Sequence, residues 1–166
     1  SILADLSRAD ILLYVYQPED ARAVVIGQAQ PHSVSPIYNS SLVGRPVTPQ
    51  DEPVVFRALR HGGLERGQGD VVLRGGPTIQ EVYPIHNAQG DILGAASIET
   101  NVVEHERHGR RSVVFRRALA QLQQICLHGE LVGAAVLSPF AEHDGIIFVD
   151  PGARIRYVSG VAENLH

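Results

Sequence analysis

The side chains that could do chemistry are eight histidines, one cysteine and a cluster of arginines. His105 and His108, in the segment Glu104-His-Glu-Arg-His108, would stand one turn apart on a helix, a spacing that can share a divalent cation. No cysteine stands near them in sequence, and Arg107, Arg110 and Arg111 would repel a cation. They therefore read as a solvated helix face, and no metal is expected. The segment does not look like a phosphoacceptor motif either. Cys126 lies on the apolar side of its segment, where a small buried hydrophobe is the usual identity. Gly62-Gly63, the pair Gly67 and Gly69, and Gly75-Gly76 lack the GxxxxGK[ST] and GxGxxG contexts of phosphate-binding loops, so they read as turns and caps. Arg107, Arg110, Arg111, Arg116 and Arg117 form a basic cluster that Glu104 and Glu106 dilute, and no aromatic residues interleave it. That favours a hydrated face over a nucleic-acid surface. No residue is assigned a catalytic role.

Composition narrows the class. With 166 residues, 44% hydrophobic and 19% charged, the chain should fold, as one domain with a good core or as one domain plus a fragment of another. A net charge of −4 gives no reason to expect nucleic acid or an anionic membrane as partner. No apolar stretch approaches the roughly 18–20 residues that span a bilayer, and the start carries no cationic region of a secretory signal. A single cysteine suits a reducing compartment, so a cytoplasmic location is expected. All 14 basic residues are arginine, and Lys, Met and Trp are absent. The Arg, Ala, Gly and Val bias fits a GC-rich genome, and a chain without an initiator Met reads as an excised piece or a processed product.

The elements that must position these residues follow from pattern. Residues 1–8 read as the tail of a helix with Ile2, Leu3 and Leu6 on one side. The runs 11–16 and 23–29 are β-rich and apolar on both faces, predicting a hairpin in a sheet covered on each side. Residues 30–50 hold four of the ten prolines and mark a loop. Residues 51–61 predict a short helix with Asp51 as cap, Pro53 in the first turn and Gly62-Gly63 as stop. Its Val54/Ala58 and Val55/Leu59 pairs form a buried stripe. A Gly-rich link over 62–69 leads to an apolar run at 71–73. Residues 79–85 and 92–98, around the turn Asn87-Ala-Gln-Gly-Asp91, predict a second hairpin. Asn101 with Glu104 resembles a capping box, and from there a helix is expected to His128, with Gly109 a weak point and Gly129 its end. Its stripe of Phe115, Ala118, Leu122 and Ile125 could pack on the domain's own sheet, pair two copies of the chain, or do both. Residues 145–149 and 154–158, around Asp150-Pro-Gly-Ala153, predict a third hairpin, followed by a small helix at 161–165.

This order of elements resembles a GAF domain. Glu81-Val-Tyr-Pro-Ile-His86 and Gly90-Asp-Ile-Leu-Gly-Ala-Ala96 carry the resemblance most closely, and the last hairpin is similar to the first hairpin of a PAS domain. A closer likeness is to the amino-terminal GAF-like sensor of soluble bacterial histidine kinases, carried by the run 4–13, Leu42-Val-Gly-Arg-Pro-Val47, Glu99-Thr-Asn101 and the hairpin at 145–159. The resemblance implies an α+β fold: a GAF-like antiparallel sheet flanked by helices, with a long C-terminal helix leading into a PAS-like β-hairpin. The expected division is a sensor domain over 1–103, a signalling helix over 104–129, a linker over 130–144 and a truncated PAS-like start over 145–166.

Family membership would imply a cytoplasmic homodimer whose downstream kinase core, in cis, passes phosphate to a response regulator, sometimes an RNA-binding antiterminator. It also implies a ligand pocket between the sheet and its covering segments, near Tyr14, Tyr16 and Tyr83 on strands and Tyr38, Arg45 and Arg57 in the cover. Arg beside aromatic walls would suit an anionic or planar small molecule of unknown identity. The alternative is a pocket filled by side chains in a domain that only dimerises and transmits. No cofactor is expected: the Asn-Lys-x-Phe-Asp-Glu pattern of cyclic-nucleotide-binding GAF domains is absent, and no His is aimed at a haem. A GAF–PAS transcription regulator is the competing reading. A stand-alone thiol reductase, known among GAF-like proteins, would need more than Cys126.

Overall fold

Inward and outward side chains alternate along six strands of a single antiparallel sheet, and each face recruits its own cover. The computed structural model describes residues 1–32, 34–69, 76–109, 113–129, 132–133 and 147–158. Helix α1 (Ile2–Ser7) leads into β1 (Asp10–Gln17), a single 3₁₀ turn (Pro18–Asp20) and β2 (Arg22–Ala29). After a long loop come β3 (Pro46–Val47), α2 (Pro53–His61), β4 (Glu65–Gly69), β5 (Thr78–His86) and β6 (Ile92–Asn101). Helices α3 (Val102–Gly109) and α4 (Val113–Leu127) follow, then a separate hairpin of β7 (Ile147–Val149) and β8 (Ile155–Val158). The sheet order is β3-β2-β1-β6-β5-β4, with every neighbouring pair antiparallel.

Register decides which side chains share a face. Asp10 lies opposite Glu99, and Glu99 opposite Gln80; Leu12, Ser97 and Val82 form the next row. This face holds the main core, in which Leu12, Tyr14, Val25 and Val82 meet Val54, Val55, Phe56, Ala58 and Leu59 of α2. The other face carries Ile11 and Ile98, and packs against Leu3 and Ala4 of α1, with Tyr83 and Cys126 at its margin.

Both expected hairpins of the sheet form, their strands running slightly beyond the stated apolar runs. In the second, Asn87 Oδ1 accepts from the amides of Gln89 and Asp91 at 2.9 and 2.8 Å, and Gly90 adopts φ 92°. The third hairpin is also present, closed by Asp150 Oδ1, which accepts from Gly152 and Arg154.

Several expectations are corrected. The link over 62–69 contains a strand: Glu65–Gly69 pairs with β5 although it offers no apolar residue. Gly67 permits this, since a Cβ there would stand 2.6 Å from Val54 Cγ2 beneath α2. The buried side of α1 is Leu3, Ala4, Asp5 and Ser7, with Ile2 and Leu6 only half-buried. Cover on the second face is partial, for Leu13 and Val15 are each 38% exposed and Ile26 is 56%. Glu52 holds the N-cap position of α2; Asp51 instead accepts from the Thr48 amide and hydroxyl at 2.8 and 2.7 Å. Asn101 does cap α3, accepting from the Val103 amide at 2.9 Å, while Glu104 pairs with Arg8 at 3.3 Å. The helix expected to run from Asn101 to His128 is described as α3 and α4, with residues 110–112 outside the described residues. The run at 71–73, most of the linker over 130–144, residues 145–146 and the helix at 161–165 also lie outside them.

Gly94 marks a very tight passage of the sheet, because a Cβ there would run into the Tyr14 carbonyl oxygen. Main chain on both sides cannot yield, so Gly94→Ala should cost about 3 kcal/mol. Gly63, with open space around it, should tolerate alanine within about 0.5 kcal/mol. Urea titration of the two variants checks the contrast.

Candidate functional site

The inward face of the sheet turns from apolar to polar along its length. From Tyr14 and Ala95 the rows pass through Leu12, Ser97 and Val82 to Asp10, Glu99 and Gln80. Asp10, Gln80, Ser97 and Glu99 are each at most 1% exposed, and Glu52 is 7% exposed. Burying acids at this density is costly unless each is hydrogen-bonded or neutralised, and the cluster is cross-linked accordingly. The Tyr38 hydroxyl donates to Glu99 Oε2 at 2.6 Å, and Ser97 Oγ donates to Oε1 at 3.0 Å. Gln80 Nε2 lies 3.2 Å from Glu99 Oε1 and 3.1 Å from both Glu52 Oε2 and Ser97 Oγ. Glu52 therefore starts α2 with its main chain and enters the core with its carboxylate.

Asp10, together with Asp5 and Gln28, also holds the loop between β2 and β3 against the domain. Asp10 Oδ2 accepts from the Ile37 amide at 2.8 Å, Asp5 Oδ1 from the His32 amide at 2.7 Å, and Gln28 Oε1 from the Leu42 amide at 2.7 Å. The loop thus lacks regular structure yet has these amides satisfied by side chains reaching out of α1, β1 and β2. Burial pushes the Asp10 carboxyl up to about 6; the Ile37 and Tyr38 amides pull it down, and the charge of Glu99 pushes it further up. Among the described residues, its Oδ1 is buried without a hydrogen-bond partner, as is Thr78 Oγ1. A carboxyl in that setting favours keeping its proton. Asp5 goes the other way: burial raises it, but the His32 amide and ring and the N-terminal ammonium together bring it below its ordinary value.

Of the six residues expected around a ligand pocket, Tyr14, Tyr16 and Tyr38 share the main core, and Tyr83, Arg45 and Arg57 lie elsewhere. Tyr14 and Tyr38 are buried on the α2 side, and Tyr16 is half-buried there, edge-on to Phe56 with ring centroids 6.3 Å apart. Tyr83 is on the opposite face, beside Leu3 and Ile98, because it follows Val82 in a strand whose side chains alternate. Arg45 is exposed. Arg57 lies along the outside of α2, donating to Glu65 Oε2 at 3.3 Å and to the Arg66 carbonyl at 3.2 Å. The signal for the acids was available: Thr78, Gln80 and Val82, like Ser97 and Glu99, continue the inward alternation of their strands.

Of the helix stripe, Phe115 is buried, with its ring 5.7 Å from that of Tyr157. Ala118, Leu122 and Ile125 line a cavity of about 990 Å³ between α4 and the β7–β8 hairpin. Cys126 joins the second core, and burial pushes its thiol up, which disfavours the nucleophilic thiolate. His105 is exposed; the side chains of Arg107 and His108, with Arg110 and Arg111, lie outside the described residues.

This sheet order, with α2 over the inward face and α1 and the end of α4 against the other, places the chain among known proteins. Residues 1–118 match the family model of the GAF domain of histidine kinase PdtaS. The chain belongs to this family. The PdtaS GAF assignment covers every strand of the sheet and the beginning of α4. A curated relative, the sensor histidine kinase PdtaS of Mycolicibacterium smegmatis, is 30% identical over 166 residues, with 95% of this chain and 33% of the relative aligned. The chain thus spans about a third of the length of that relative. A solved sensor region of a sensor histidine kinase superposes with a TM-score of 0.68 at 22% identity, covering 98% of this chain and 55% of its own. An IclR-family putative transcriptional regulator from a Rhodococcus species shares the fold more loosely, with a TM-score of 0.52 at 11% identity over 83% of this chain and 60% of its own. Among the described residues, no helix is long and apolar enough to cross a membrane.

The titration of Asp10 generates a prediction. Its folded carboxyl holds a proton up to about pH 6, whereas the ordinary value is 3.8. Its contribution to stability is therefore fully present below pH 3.8 and is lost as the pH rises through 6. Relative to Asp10→Asn, the unaltered chain should lose about 2 kcal/mol between pH 4 and pH 7. Urea midpoints across that range measure it, and parallel curves for the two proteins would show that Asp10 is charged throughout. Tyr38→Phe, which strips a donor from a buried carboxylate, should cost about 2 kcal/mol at pH 7 by the same measurement.

Proposed function

We propose that this chain is the regulatory sensor and dimerisation region of a cytoplasmic two-component histidine kinase. In this reading α4 carries the state of the GAF domain towards a downstream PAS domain and kinase core. The observation that supports it most is the way α4 is held. On one side Gln123 Nε2 lies 3.4 Å from Ser7 Oγ and Cys126 enters the second core; on the other, Phe115 meets Tyr157 of the β7–β8 hairpin. One helix therefore touches both units, and any shift of its position relative to the sheet is felt by the hairpin. Regulation would follow from a change in the population of two helix placements.

The division into a sensor domain at 1–103, helix at 104–129, linker at 130–144 and PAS-like start at 145–166 belongs to this proposal. So does a homodimer in which Leu122 and Ile125, respectively half-buried and 38% exposed, pair along α4. Phosphate would pass from the parent's kinase core to a response regulator, and this chain itself would perform no catalysis.

The test uses the full-length parent protein with labelled ATP. Acid-labile phosphohistidine should form, and deletion of one residue within α4, which turns the following part of the helix by about 100°, should change the rate at least several-fold. Absence of phosphohistidine, or a rate indifferent to the deletion, overturns the reading. For the dimer, light scattering should give twice the chain mass, falling to the monomer mass in Ile125→Asp.

A further inference from the structure

On the face of the sheet away from the buried acids, a cleft of about 450 Å³ opens between the outer strands and the two helices α3 and α4. Ile79 and Ile98 supply an aliphatic floor, while Arg66, His105 and Arg116 stand at its walls. One acid, Glu81, shares the cleft, and both its oxygens are engaged: Arg66 Nε donates to Oε1 at 2.6 Å and the Tyr83 hydroxyl lies 3.4 Å from Oε2. That pairing uses the Nε edge of Arg66, and among the described residues its two terminal nitrogens make no hydrogen bond. Arg116 is exposed and forms no ion pair among the described residues.

We propose that this cleft binds a small organic carboxylate carrying a short apolar body. Guanidinium groups present parallel N–H donors that match a carboxylate, and two of them from different elements converge on one space. The aliphatic floor gives the rest of the molecule a surface to bury, and the volume suits a metabolite-sized ligand. Glu81 makes the choice of anion: its fixed negative charge penalises a phosphate dianion more than a single carboxylate. The apolar floor likewise offers nothing to a compact inorganic ion. Because Arg116 belongs to α4 and Arg66 to β4, a bound carboxylate would tie the helix to the sheet. That coupling rests on the transmitting role proposed for α4; the binding itself does not.

Benzoate is the probe, with benzamide as its neutral isostere and inorganic phosphate as the competing anion, titrated into the 166-residue chain and followed by amide chemical shifts. Benzoate should saturate and perturb residues of β5, β6 and α4, binding at least about tenfold more tightly than either comparator. Arg116→Ala should weaken it by about tenfold, and Arg60→Ala, an exposed arginine of α2, should leave it unchanged. No saturation by benzoate, equal binding of benzamide, preference for phosphate, or indifference to Arg116→Ala each overturns the site. Benzoate binding that leaves autophosphorylation of the parent unaltered removes the coupling and leaves the carboxylate site standing.

Discussion

The carboxylate of Glu99 is wholly buried in the middle of the sheet, and much of the domain is arranged to make that tenable. Tyr38, Ser97 and Gln80 reach it from the loop, from its own strand and from the neighbouring strand. Gln80 then passes the connection to Glu52 at the head of α2. A buried polar cluster of this kind adds little net stability compared with an apolar core, but it is expensive to break in part. Its effect here is to fix which loop lies against the sheet and where α2 begins, since moving either strands a buried acid.

The apolar half of the architecture was legible from pattern, the polar half much less so. Strands β5 and β6 declare themselves through alternation around a turn whose Asn and Gly have defined geometric duties, and the structure reproduces them. Strand β4 could not be read that way: Glu65, Arg66, Gly67, Gln68 and Gly69 contain nothing to bury, and the strand exists because β5 offers an edge and Gly67 fits under Val54. Asp51 looked like the helix cap on local grounds. A competing local contact with Thr48 occupies it, and only tertiary structure shows that the next residue turns its carboxylate inward. Acids and amides are mostly found at surfaces, and that expectation hid Asp10, Glu52, Gln80 and Glu99.

Tyr83, Arg45 and Arg57 part from Tyr14, Tyr16 and Tyr38, which share the main core, for a simpler reason. Residue type and proximity in sequence do not specify a face, and one residue of register separates Tyr83 from the core occupied by Tyr14. What membership of the PdtaS GAF family adds is context: a sensor fold over residues 1–118, with the helix beyond it placed between the sheet and a second hairpin. The two faces of the sheet then divide the labour, one sealed by α2 and its acids, the other only partly covered and in touch with α4.

The grip on the loop between β2 and β3 has an evolutionary corollary. Asp5, Asp10 and Gln28 hold main-chain amides of His32, Ile37 and Leu42, so what they recognise is a path and not a spelling. The exposed side chains of Ser35, Asn39 and Ser40, which lie between those points, are under no obligation to the fold from these contacts. Related chains can therefore rewrite the outer surface of this loop, residue by residue, without renegotiating the core beneath it. A sensor built this way keeps one frame while the surface that meets the outside world drifts.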